Sequence, residues 1–164
     1  WQAAPFWSAC ANGLNGLLLE DNFTPQPLYY VHRAWAALPP ARLGVLSDTS
    51  GLVAIAAKGA SSITLLVGRY SCGNTGKWCI GAGLPVFDEP QPPIDVVVEL
   101  EGLGAASSAT IVVECFPNLG IAGALRAPFT QPMFTAPVSG GRLSVSLAGF
   151  NDGAACSVHV ALTP

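Results

Sequence analysis

Asp95-Val96-Val97-Val98-Glu99-Leu100-Glu101 and Arg142-Leu143-Ser144-Val145-Ser146-Leu147 both alternate apolar and polar residues with a period of two. In the first run Val96, Val98 and Leu100 oppose Asp95, Glu99 and Glu101, with Val97 as the exception. In the second, Leu143, Val145 and Leu147 oppose Ser144 and Ser146. Successive side chains of a strand point to opposite faces, so each run describes a strand with one face buried and one in water, as in antiparallel sheets. Further short runs, punctuated by Gly, Pro, Asn or Asp, cover 42–47, 52–58, 62–70, 110–116, 123–126, 133–138 and 156–162. Together they predict a mainly β fold: an antiparallel two-sheet β-sandwich over residues 41–164, with a closed barrel as the alternative.

Residues 1–40 follow another rhythm. A short strand candidate at Leu17, Leu18 and Leu19 precedes the turn Glu20-Asp21-Asn22. Thr24 can then cap a helix whose first turn suits Pro25 and Pro27, and Leu28, Val31, Trp35 and Leu38 recur on one face until Pro39-Pro40 ends it. This is the one N-terminal helix the sequence predicts. A lone helix cannot bury such a stripe, so it must pack on a sheet or on a neighbouring domain, with Trp35 in that packing. The Pro-rich stretch from Gly81 to Pro93 reads as an extended connection outside any central strand.

The 164 residues are 51% hydrophobic and only 10% charged, against roughly 25% charged in ordinary soluble domains. A net charge of -3 without any run of Lys or Arg argues against nucleic-acid binding. Despite a mean hydropathy of +0.46, every apolar stretch is interrupted well before the ~18 residues of a membrane helix, so no membrane span is expected. The chain starts without Met, a basic leader or a signal-type apolar run, and so is expected to be a processed or excised segment of something longer.

Five cysteines in a charge-poor chain point to an oxidising, extracellular compartment and a secreted protein. Cys72 and Cys79 bracket a turn-rich loop and are expected to form a local disulfide. Cys115 follows Ile111 and Val113 on the apolar phase of one strand, and Cys156 precedes Val158 and Val160 on that of another. They could bridge the two strands, two buried free thiols being the alternative. Cys10 is then unpaired within the chain or joined to a partner outside it. Asn22-Phe23-Thr24 is an N-glycosylation sequon that Pro25 makes a poor acceptor.

No catalytic signature survives scrutiny. The chain has no nucleophile elbow, no His-Glu-x-x-His and no dinucleotide fingerprint, and Gly73-Asn74-Thr75-Gly76-Lys77-Trp78 lacks the spacing and hydroxyl of a phosphate loop. The cysteine spacings with His32 and His159 make no four-ligand zinc set, and no cofactor is expected. His159 alternates with Val158 and Val160 and reads as a solvent-facing strand residue. Glycoside hydrolysis needs two carboxylates flanking one bond, but Glu20 with Asp21, and Asp88 with Glu89, are adjacent residues that do not converge so. Trp1, Phe6, Trp7, Tyr70 and Trp78 are candidate sugar-stacking aromatics, Trp78 and Tyr70 foremost.

Phe6-Trp7-Ser8, Gly16-Leu17-Leu18-Leu19-Glu20-Asp21 and Pro25-Gln26-Pro27-Leu28-Tyr29-Tyr30-Val31-His32-Arg33 occur in this order. The series resembles the end of the (β/α)8 barrel in clan-A glycoside hydrolases, above all the β-xylosidase and arabinofuranosidase group. There an aromatic-bearing eighth strand and the last barrel helix lead into a C-terminal β-sandwich. The resemblance covers about 45 residues by motif and the rest by architecture. It implies a strand-helix segment at 1–40 and a sandwich at 41–164, and it places Trp7 at a sugar subsite. It also implies that the catalytic glutamates of the fourth and seventh strands lie before residue 1.

The expected function is therefore a non-catalytic C-terminal β-sandwich module of a secreted glycoside-hydrolase-like protein, packing on a barrel supplied by the upstream chain. One alternative is a structural subunit of an extracellular filament or cell-wall assembly, docking on a neighbouring subunit. The other is a carbohydrate-binding module that takes a glycan through Trp78 and Tyr70.

Overall fold

The computed structural model describes residues 25, 27–69, 92–116 and 128–164. Helix α1 (Pro27–Ala36) is followed by β1 (Ala41–Leu43), β2 (Leu52–Lys58), β3 (Ser62–Arg69), β4 (Ile94–Leu100), β5 (Ser108–Phe116), β6 (Phe129–Thr130), β7 (Phe134–Pro137), β8 (Leu143–Phe150) and β9 (Ala155–Thr163). The helix begins on a proline, whose missing N–H costs nothing in a first turn. It closes with Ala37 N–H donating to the Arg33 carbonyl and Leu38 N–H to that of Trp35, before Pro39-Pro40. Among the described residues no helix is long and apolar enough to cross a membrane.

The strands form two antiparallel sheets that do not close into a barrel. The larger runs β1-β2-β3-β9-β5, and the far edge of β5 is shared by β7 at its start and β6 at its end. The smaller pairs β4 with β8. Leu65 of β3, Val158 of β9 and Val113 of β5 lie in register across the centre of the large sheet. Their row faces Val96 and Leu100 of β4 and Leu143, Val145 and Leu147 of β8, all within one buried core. This is the predicted two-sheet sandwich, and the two alternating stretches are its small sheet, with Val97 left 59% exposed on the outer face. In β3 the run Leu65-Leu66-Val67 is buried on both faces, so this strand carries no polar alternation there.

Several local devices hold the sheets together. Gly140 and Gly141, with φ of 59° and 72°, make the two-residue turn closed by the Ser139–Arg142 bridge, which carries the chain from β7 in one sheet to β8 in the other. Pairing slips between Ile94 and Val96, so that Ala148 and Gly149 together oppose Asp95. Gly149 takes φ 62° at this bulge, and its N–H donates to Asp95 Oδ1 at 2.8 Å. Arg69, only 8% exposed, donates from Nη1 to the carbonyls of Pro92 and Phe150 at 2.9 and 2.8 Å. The end of β3 is thereby tied to the start of β4 and the end of β8.

Some boundaries depart from the sequence reading. The first strand, expected over 42–47, ends at Leu43. Beyond it Gly44 offers no side chain, and Ser47 Oγ bonds the Thr49 backbone, which competes with a β ladder and leaves Leu46 fully exposed. β6 was not anticipated, because two residues are too few to show a period. The candidate strands at 17–19 and 123–126 lie outside the described residues. Trp35 is half-buried on the helix and not part of the core.

Cys115 and Cys156 are register partners on β5 and β9 and form a disulfide with Cα atoms 4.0 Å apart. Both face the core, as their apolar phase requires. The bond spans 41 residues of sequence. Replacing both cysteines with alanine is expected to lower the unfolding free energy by about 2–4 kcal/mol, read from denaturant melts of the oxidised and doubly substituted chains.

A polar groove between the helix and the large sheet

The face of the large sheet opposite the core is built from the other phase of the same strands. In register across β3, β9 and β5 stand Leu66, Ser157 and Glu114, then Thr64, His159 and Val112. Helix α1 lies over this face and contacts β5. Between them runs a groove of about 420 Å³ lined by Arg33, Ala34, Ala37 and Pro39 on the helix side and by Ser62, Thr64, Glu114, Ser157 and His159 on the sheet.

Two interactions organise it. Thr64 Oγ1 and His159 Nδ1 lie 3.0 Å apart across neighbouring strands, which orients the imidazole. Arg33 Nη2 donates to Glu114 Oε1 at 3.1 Å and pins the helix to β5. The same guanidinium sits 5.1 Å from the Tyr30 ring centroid, and Tyr30 meets Tyr29 edge to face at 5.3 Å. The arrangement sets hydroxyls and an imidazole on the sheet side against the apolar surface of Ala34, Ala37 and Pro39, with the ion pair crossing between the two.

The side of the helix that lines the groove is not the apolar stripe. Arg33, Ala34 and Ala37 face the groove, whereas the stripe of Val31 and Trp35 lies roughly 130° further round at ~100° per residue. Val31 and Trp35 remain half-buried, while Leu38, past the helix end, is buried. Arg33 and Ala37 are exposed and Ala34 is half-buried, so this side of the helix faces an open groove that the Arg33–Glu114 ion pair bridges.

Of the residues singled out from sequence, Trp7, Cys10, Asn22, Tyr70, Cys72, Trp78 and Cys79 lie outside the described residues, as do Glu20, Asp21, Asp88 and Glu89. His159 is solvent-facing as read, but it belongs to the groove. Among the described residues no group of three or more His, Cys, Asp or Glu side chains is placed to hold a metal. The groove itself was not found from sequence. Its signal is the polar phase Ser62, Thr64, Ser157, His159 and Glu114, which becomes a site only once β9 is known to lie between β3 and β5.

No protein-family model and no curated protein matches the sequence. Solved structures do match the fold. The protein N2152 from Neocallimastix frontalis is 16% identical with a TM-score of 0.66, over 91% of this chain and 33% of its own. A monomeric β-xylosidase from Caulobacter crescentus is 10% identical with a TM-score of 0.60, over 86% of this chain and 31% of its own. A GH39 enzyme from Xanthomonas axonopodis pv. citri is 8% identical with a TM-score of 0.58, over 85% and 31%. The chain thus has a glycoside-hydrolase-like fold and spans about a third of the length of these solved chains.

The ion pair that fastens the helix is partly exposed, Arg33 at 53% and Glu114 at 31%. Glu114→Gln is expected to cost about 0.2–1 kcal/mol in low salt. The difference should fade in about 1 M NaCl, where screening is strong, as paired denaturant titrations of wild type and variant would show.

Proposed function

We propose that this chain is a non-catalytic C-terminal β-sandwich module of a secreted glycoside-hydrolase-like protein. In this reading residues 1–40 supply the last strand and helix of a (β/α)8 barrel, and residues 41–164 form a sandwich that covers and stabilises it. The observation that carries the proposal is the orientation of α1. The helix turns Arg33, Ala34 and Ala37 to the sheet and leaves Val31 and Trp35 half-buried on another side. In this reading the barrel would cover the side that bears Val31.

Three further facts support the reading. The fold is like that of solved chains about three times as long, two of which are a β-xylosidase and a GH39 enzyme. The Cys115–Cys156 disulfide suits an oxidising compartment. The strand-helix motif at 6–33 precedes the sandwich in the order the barrel enzymes use. Trp7 would then stand at the edge of the barrel's sugar site, and Cys10 would pair with the barrel or a neighbouring chain. No observation favours a filament subunit, or sugar binding through Trp78 and Tyr70, over this.

Produced alone, the 164-residue chain is expected to bind a hydrophobic dye and to self-associate, and Val31→Ser should weaken both. Light scattering with a dye titration reads this directly. A cooperatively melting monomer that binds no dye would contradict the proposal.

A further inference from the structure

We infer that the surface stretch between β1 and β2 is a site of selective endoproteolysis, cut at the Leu46–Ser47 peptide bond by an endoprotease with an apolar primary pocket. Water adds across that bond, leaving a carboxylate on Leu46 and an amine on Ser47, and residues 1–46 are severed from a sandwich that stays folded. The inference does not depend on the barrel-packing proposal; where both hold, the cut separates the sandwich from the barrel.

Proteases nick exposed segments that can leave the surface without disturbing buried structure. Every residue from Pro40 to Ser50 is exposed, and 44–48 belong to no helix or strand. The space beside Gly44 is open, since a Cβ there would meet nothing within 4 Å. Leu46 is 100% exposed, an apolar side chain already presented for a pocket. Other exposed apolar side chains are held by their backbones. Val53, Val97, Phe129 and Phe134 stand on strands with register partners. The short link that carries Met133 is tied to β5 by Gln131 N–H, which donates to the Val113 carbonyl at 2.9 Å. Arg42, which an enzyme with an acidic pocket would seek, is paired with Ala57 on β2 and donates from Nη1 to the Pro39 carbonyl. The cut also spares the core. Among the described residues the core cluster and the side chains packed against it run from Leu52 to Leu162, and the Cys115–Cys156 bond lies wholly beyond Ser47.

The test is timed digestion of the natural full-length protein with chymotrypsin under native conditions, with the fragments read by mass spectrometry. A fragment beginning at Ser47 is expected among the early products, and once purified it should keep its disulfide and melt cooperatively. Leu46→Asp changes a side chain that touches no core residue, and it should slow formation of that fragment about tenfold or more, because an apolar pocket discriminates by that factor over a single methylene. Trypsin is expected to leave the bond after Arg42 intact over the same period. Digestion that proceeds without a cut between Gly44 and Gly51 would overturn the inference. So would cleavage of the Leu46→Asp chain there at the wild-type rate, trypsin cleavage after Arg42 as fast as the Leu46 cut, or a fragment from Ser47 that is unfolded. The outcome is separate from the dye and light-scattering result for the isolated chain, which concerns Val31 and not this stretch.

Discussion

Strand β9 lies between β3 and β5 and must satisfy two faces at once. On one side Cys156, Val158 and Val160 meet the second sheet, and each is almost wholly buried. On the other, Ser157 and His159 form the floor under α1. A shift of one residue in the pairing of β9 would exchange these sets, putting Ser157 and His159 in the core and the valines under the helix. The Cys115–Cys156 bond joins β9 to β5 at one register position, so the covalent link and the hydrophobic phase select the same alignment. Core, groove and helix seat all follow from it.

Much of this was legible in the sequence, for a physical reason. A period of two is local, so Asp95–Glu101 and Arg142–Leu147 declared themselves as strands, and the phase of Cys115 and Cys156 told which way their thiols face. The helix was marked by its prolines and its apolar spacing. What could not be read was long-range. That β9 inserts between β3 and β5 is a matter of pairing over about a hundred residues, from Thr64 to His159. The polar groove is made by that pairing, so its members look like ordinary wet strand positions when taken one at a time. The helix is a related case: its apolar spacing is local and was legible, but that Arg33, Ala34 and Ala37 line the groove depends on where the helix lies over β5.

The low charge of the chain also finds a place in this account. Two charged pairs join elements: Arg33 with Glu114 holds the helix to β5, and Arg142 with Glu101 joins the start of β8 to the end of β4 at 3.0 Å. Arg69, buried, bonds carbonyls from both strands of the small sheet. Arg33 and Arg69 join layers, the helix to the large sheet and the large sheet to the small one, whereas Arg142 and Glu101 stand at paired strand ends within the small sheet.

The claim that the chain is a module of a larger hydrolase-like protein meets its most direct test in the denaturing intact mass of the natural protein, measured with and without reductant. The account predicts a mass several-fold above 16.8 kDa in both conditions, in keeping with solved chains about three times as long. A mass near 16.8 kDa in both would contradict it.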